Sequence, residues 1–296
     1  MESMRETKPI VIVTGAGGLI GRYFTKTASR WSPGWSVRGL TRADVDLTDR
    51  SSVERAWHAM RPQAVIHCAA LSRTKDCEED PVRARRINVE ATAHLAELSC
   101  TIPFIFLSSG EVFDGADGWY VESDKPNPIN FYGRTKVEAE GVVLQNPLHS
   151  VVRLVLTAGT SAEGNRSFVE DMIRAAKAGR KISLYTDEFR CPLPAGVIVR
   201  AVWELLERNG PGLYHLSGSE RLSRWEIGQA LLPWYPEMEG RLVESSAQQH
   251  GGAPRPADLS LRCEKIQRLL SFPIPGFREW LASRTSRGMD LWDYLE

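Results

Sequence analysis

Long apolar runs are missing from this chain of 296 residues. A membrane-spanning helix needs about 18 or more consecutive apolar residues, and nothing in the sequence approaches that, so a soluble protein is expected. Paired cysteines are missing too. Cys68, Cys77, Cys100, Cys191 and Cys263 are odd in number and scattered, without a C-x-x-C. That argues against a disulfide framework or a zinc site and fits a reducing cytoplasm. The six histidines form no close ligand pair, and His67 lies on an expected strand and reads as a packed residue, so no metal is expected. Neither charge is in excess: 37 Lys plus Arg balance 37 Asp plus Glu. With no global field to draw nucleic acid or an acidic membrane, an anionic ligand must be held by a few local cations. Internal repeats and low-complexity linkers are absent. Met1–Pro9 is short and charged, so an unprocessed chain is expected.

What is present is apolar material for a substantial core, 42% of the chain, enough for one large or two modest domains. It comes in short runs that alternate with helical patterns. Ile10 to Val13, Ser36 to Leu40, Ala64 to Cys68, Phe104 to Leu107, Val151 to Leu156 and Leu213 to Leu216 predict strands, most of them followed by helices. Such alternation predicts an α/β fold with a parallel sheet covered on both faces. Late in the chain Ser223-Arg224-Trp225-Glu226 is a capping box opening a helix, with Trp225 as a packing anchor.

The first strand runs into Thr14-Gly15-Ala16-Gly17-Gly18-Leu19-Ile20-Gly21. Glycine at such a strand-to-helix turn lets the backbone bend sharply and approach a pyrophosphate, whose charge the free N–H groups of the helix N-terminus stabilise. Gly15, Gly18 and Gly21 follow the spacing G-x-x-G-x-x-G, the variant of short-chain dehydrogenases/reductases, not the G-x-G-x-x-G of commoner dehydrogenases. Further on, Tyr132-Gly133-Arg134-Thr135-Lys136 puts a phenol and an ammonium one helical turn apart, on one face. A phenol has an ordinary pKa of about 10, and a neighbouring ammonium favours its ionised form. Between the two motifs, the apolar strand Phe104-Ile105-Phe106-Leu107 ends in Ser108-Ser109, where doubly wound sheets deliver ligand contacts. Each motif alone has a bland reading, as a loop glycine, a solvated helix pair or a turn serine. Their order along one chain points to a nicotinamide-dependent oxidoreductase.

On these residues the chain resembles the extended short-chain dehydrogenases/reductases, of the dTDP-4-dehydrorhamnose reductase type. Asp46-Leu47-Thr48-Asp49 and His67-Cys68-Ala69-Ala70 resemble that family's adenine-side segments, and Arg86-Ile87-Asn88-Val89-Glu90-Ala91-Thr92 its central helix. Val112-Phe113-Asp114-Gly115, Pro126-Asn127-Pro128, Asp187 to Pro192 and Arg255 to Leu261 resemble later landmarks, the second half more loosely. The resemblance implies a Rossmann-type doubly wound sheet with a smaller C-terminal substrate-binding domain. The dinucleotide-binding part would span 1–158, with 189–216 returning to it, and the substrate part 159–188 and 217–296. It implies NADPH-dependent reduction of a 4-keto sugar nucleotide such as dTDP-4-dehydrorhamnose. Tyr132 would donate the proton, Ser109 would hydrogen-bond the developing alkoxide, and Lys136 would bind the nicotinamide ribose and lower the Tyr132 pKa. Gly15, Gly17, Gly18, Leu19, Ile20, Gly21, Asp46, Leu47, Cys68, Ala69, Ala70 and Thr157 would contact the cofactor, and Glu111, Arg190 and Arg255 the substrate. A homodimer is a further expectation.

Cofactor choice rests on the end of the second strand, where NAD-preferring sites place an acid about 20 residues after the glycine turn. Thr41-Arg42 stands there, so a 2′-phosphate meets no carboxylate at that position and Arg42, with Arg22, can pair with it. NADP(H) is therefore expected ahead of NAD(H). Two departures from the family signature matter. Gly110 replaces the usual Asp, and Glu111 stands where the reductases often have Tyr and the sugar-nucleotide dehydratases a Glu. Glu111 reads either as a substrate contact or as a solvated loop carboxylate. Two other functions stay open: an NAD-dependent epimerase or dehydratase, against which Thr41 and Gly110 count, and a non-catalytic NADP-binding regulatory subunit of the same fold.

Overall fold

A computed structural model describes residues 8–249 and 251–284. Most of the charged Met1–Pro9 segment and the tail of the expected substrate domain, 285–296, lie outside the described residues. In chain order the strands are β1 Ile10–Thr14, β2 Ser36–Leu40, β3 Ala64–His67, β4 Phe104–Ser109, β5 His149–Leu154, β6 Thr157–Ala158, β7 Ile182–Tyr185, β8 Phe189–Arg190, β9 Leu193–Pro194, β10 Gly212–Leu216, β11 Leu222–Ser223 and β12 Leu242–Ser245. The α-helices are α1 Leu19–Trp31, α2 Arg50–Met60, α3 Thr74–Glu79, α4 Pro81–Arg85, α5 Ala91–Leu98, α6 Phe131–Val143, α7 Phe168–Lys177, α8 Ala195–Glu207, α9 Arg224–Leu231, α10 Glu264–Gln267 and α11 Phe277–Ala282.

Six strands form one parallel sheet in the order β10-β5-β4-β3-β1-β2. The order reverses at β1/β3, and a crevice for ligands opens at the carboxyl ends of the strands beside such a reversal. Side chains alternate between the sheet faces. Val11, Val13, Ile105 and Leu107 join the core formed with α1 and α8, where Phe24 meets Trp203 edge-on with ring centroids 5.4 Å apart. Ile12, Val65, Phe104 and Phe106 face the opposite way, onto Leu95 of α5 and Ala139 and Val143 of α6. Burying apolar surface on both faces is what makes the strands read as nearly continuous apolar runs.

The six expected strands are the six strands of the sheet, with several ends shifted by one or two residues. The fifth runs His149–Leu154, not Val151 to Leu156, because Leu156 leaves the ladder and its carbonyl accepts from Leu193 N at 3.1 Å. Six short strands later in the chain pair only over long range, β6 with β9, β8 with β11 and β7 with β12. The capping box forms: Ser223 Oγ accepts from Glu226 N at 3.1 Å and Glu226 Oε2 from Ser223 N at 2.8 Å. Trp225 packs half-buried against the larger core. Among the described residues no helix is long and apolar enough to cross a membrane, and no cluster of side chains suits a metal ion.

Candidate active site

At the carboxyl ends of β1, β3, β4 and β5 lies a cleft of about 380 Å³. The turn after β1 forms its floor. Gly15 holds φ +68, a left-handed conformation that favours glycine. A Cβ on Gly21 would lie 2.2 Å from the Gly15 carbonyl oxygen, so the helix can start this close to the turn only without a side chain there. Gly18 caps α1 without a side-chain hydrogen bond. The first-turn N–H groups of a 13-residue helix are thus left for a ligand, and Gly15, Gly18, Leu19, Ile20 and Gly21 line the cleft. The arrangement has the form of an anion cradle at a helix N-terminus. Cys68 and Ala70 line it from the end of β3, and Ala69 backs onto Gly15.

Ser109, Glu111, Tyr132, Lys136 and Thr157 line the same cleft. Tyr132 and Lys136 come from the first turn and a half of α6, which Asn130 caps by accepting from Gly133 N at 2.8 Å. A buried relay fixes that helix to the loop after β3. Asn88 bonds both backbone groups of Leu71 and donates to Thr135 Oγ1 at 3.0 Å, and Thr135 Oγ1 donates to the Tyr132 carbonyl at 2.7 Å. Lys136 is buried, with Nζ 2.7 Å from the Leu107 carbonyl and 4.0 Å from the Phe106 ring centroid. Burial pulls its pKa down to about 7, against the opposing charge of Glu140.

The expectation that Lys136 lowers the Tyr132 pKa is corrected by this geometry. Burial pushes the phenol above its ordinary range, the Glu111 charge adds to the rise, and a hydrogen bond with Ser109 opposes it. The phenol is therefore held protonated at neutral pH. Glu111 is half-buried and accepts from Asn130 Nδ2 at 2.7 Å, so it is not a freely solvated loop carboxylate.

A neighbouring cavity of about 490 Å³ shares Thr74, Glu111 and Arg190 with the cleft and is lined also by Arg255. Residues 9–288 match the family model for the RmlD substrate binding domain. The chain belongs to that family. A dTDP-4-dehydrorhamnose reductase of Sinorhizobium fredii is 30% identical over 90% of this chain and 93% of its own length. The methionine adenosyltransferase 2 subunit beta of Mus musculus is also 30% identical, over 96% of this chain and 88% of its own. A dTDP-4-dehydrorhamnose reductase from Bacillus anthracis, solved in complex with NADP, superposes with a TM-score of 0.84 at 26% identity, covering 92% of this chain and 97% of that one.

Not every residue read from the sequence reaches the cleft of this RmlD-family chain. Arg22 Nη1 donates to the Thr160 carbonyl at 3.4 Å, bracing α1 against the loop before α7. Gly17 stands beside Thr41. The turn after β2 does hold a carboxylate after all: Asp44 folds back to accept from Thr41 N at 2.8 Å and Thr41 Oγ1 at 2.6 Å. Asp46, bound by Thr48 N and Oγ1, feels the charges of Arg86 and Arg42, and Leu47 lines a separate hollow with Arg86. Arg86 thus joins Arg42 at this end, a contribution the sequence did not flag. Asn88, Asn130, Glu140 and Glu188 were also missed. An Asn just before the helix bearing Tyr132 is a cap signal that would have found Asn130. Asn88 and Glu188 lay inside segments that resemble the family without a role of their own, and Glu140 carries no local signal because its partner Arg153 is on another element.

Proposed function

We propose that this protein is an NADPH-dependent oxidoreductase that reduces a 4-keto sugar nucleotide, most simply dTDP-4-dehydrorhamnose to dTDP-rhamnose. The observation that carries this reading is the convergence of Ser109, Tyr132 and Lys136 on one cleft with the glycine cradle of α1. The cradle fits a dinucleotide because its glycines leave no room for side chains and its helix N-terminus offers uncapped donors. Arg42 and Arg86 support a 2′-phosphate, and thereby NADPH ahead of NADH, with the Asp44 and Asp46 carboxylates beside them as opposing charges. When bound, the nicotinamide supplies a hydride to the ketone carbon.

The chain's own residues supply the rest. Tyr132, held protonated, gives its proton to the carbonyl oxygen, while the Ser109 hydroxyl hydrogen-bonds the negative charge that develops there. Lys136 holds the nicotinamide ribose from its seat under the Leu107 carbonyl. From the expected substrate-binding part, Gly251, Gly252, Ala253, Pro254 and Arg255 line the neighbouring cavity, which is the place for the sugar nucleotide. Tyr132→Phe is expected to lower kcat by about 10²- to 10⁴-fold, while NADPH binding, followed by fluorescence, stays unchanged. Undiminished turnover would remove Tyr132 from the mechanism. The five unpaired cysteines support a reducing cytoplasm as its setting, and a homodimer is testable by light scattering.

A second reading has one observation behind it: similarity to the methionine adenosyltransferase subunit equals that to the reductase, at 30% identity each. On that reading the cleft binds NADP and turns nothing over, and the chain binds a methionine adenosyltransferase catalytic subunit. Pull-down of such a subunit, with no ketone reduced, would favour it.

A further inference from the structure

Glu188 is a buried charge that the reaction scheme above does not use. It precedes β8 and faces three guanidinium groups. Arg255 meets it edge-on, Nε to Oε2 at 2.7 Å and Nη2 to Oε1 at 2.9 Å. Arg190 Nη2 lies 3.4 Å and Arg224 Nε 3.8 Å from the same Oε1. Burial works against the carboxylate's charge, but the Arg255 hydrogen bonds and the three cationic charges outweigh it, so it lies below the ordinary carboxylate range. One carboxylate among three permanent cations leaves the cluster positive.

The two arginines expected to contact substrate are not equivalent. Arg190 is buried and spends its guanidinium on the backbone: Nη1 donates to the Phe189 carbonyl at 2.7 Å and the Ala257 carbonyl at 3.4 Å, Nη2 to the Pro256 carbonyl at 3.1 Å. It is a clamp on the segment that carries Arg255. The Arg255 side chain keeps 39% exposure. It gives Glu188 only its Nε–Nη2 edge, which leaves Nη1 for a ligand in the cavity that Arg255 lines with Glu111.

We propose that Glu188 is a positioning residue for the diphosphate of the sugar nucleotide: it fixes Arg255 so that Nη1 meets the diphosphate, while Arg190 clamps the loop and does not touch the ligand. The identity of the ligand rests on the reductase reading. A guanidinium already locked edge-on has little rotamer freedom left to lose when an anion arrives, and its planar fork suits a diphosphate.

The test is calorimetric binding of dTDP to the full-length NADPH-loaded protein, alongside KM and kcat for the keto sugar nucleotide. Glu188→Gln and Arg255→Met are each expected to weaken dTDP binding and raise KM about tenfold. Under the same scheme kcat and NADPH affinity move by less than about threefold. Because Glu188 acts through Arg255, the double variant is expected to bind no more weakly than Arg255→Met alone. Wild-type dTDP affinity in Arg255→Met, or losses that multiply in the double variant, would overturn the proposal. Should Glu188→Gln not fold, Glu188→Asp, which keeps the charge and shortens the reach, is read in its place against the same two criteria. If dTDP binding depends on Glu188 but no ketone is reduced, the anion site stands and the reductase reading falls. Reduction with an indifferent Glu188 gives the converse.

Discussion

Tyr132 and Glu188 are both ionisable and both buried, yet their surroundings push them to opposite protonation states. At Tyr132 burial and the Glu111 charge outweigh the opposing Ser109 hydrogen bond, so it keeps its proton. Glu188 has three arginines and stays charged. Its folded pKa lies below the value of an unfolded glutamate, so the stability it contributes is complete above that unfolded value and is lost as pH falls through the folded pKa. Thermal melts from neutral pH into the acid range are therefore expected to fall less steeply for Glu188→Gln than for the parent chain, even though the variant starts from a lower Tm. An identical acid slope would show that Glu188 does not titrate as described. Ser109, Tyr132 and Lys136 were legible in the sequence because each sits in a short local motif. Glu188 was not, since the partner that defines it, Arg255, is 67 residues away.

At the scale of elements, α6 is the part on which the site depends. Its inner face carries Tyr132 and Lys136 towards the cleft, and one turn beyond Lys136 it buries Glu140 against Arg153 of β5. The pair is close on two edges, Nη2 to Oε2 at 2.7 Å and Nε to Oε1 at 3.0 Å, and Ser108 Oγ donates to the same carboxylate. Arg153 is in turn 3.3 Å from His215 Nε2 on β10, so the network ties the helix to two strands. Removing one partner leaves the other charge buried and uncompensated. Glu140→Leu is expected to cost about 3 to 5 kcal/mol in urea unfolding. Replacing both partners, Glu140→Leu with Arg153→Met, is expected to recover most of that loss, and a double variant less stable than the single one would contradict this description. The long elements could be read from the sequence because alternating burial in the strands and apolar stripes in the helices are local patterns. The two-residue strands β6, β8, β9 and β11 could not, because only pairing with distant segments makes them strands.

At the scale of the whole molecule, the reversal of strand order at β1/β3 places the glycine cradle, and the end of β4 with the start of α6 places Ser109, Tyr132 and Lys136 beside it. The later segments, 251–257 above all, then bring Arg255 to the edge of the same space, through contacts with Glu188, Arg190 and Asn130 that span much of the chain. That division explains what the sequence disclosed. The cleft beside the glycine turn is built from contiguous motifs and its lining was largely legible, whereas the neighbouring cavity is assembled from loops whose contacts are long-range. The most direct test of the central claim is to follow NADPH absorbance after adding dTDP-4-dehydrorhamnose to the purified protein, with Tyr132→Phe in parallel. The expected result is oxidation of one NADPH per keto sugar by the parent chain and near-silence from the variant, with NADPH bound by both. NADPH bound by the parent chain with no oxidation on adding the keto sugar would contradict the account.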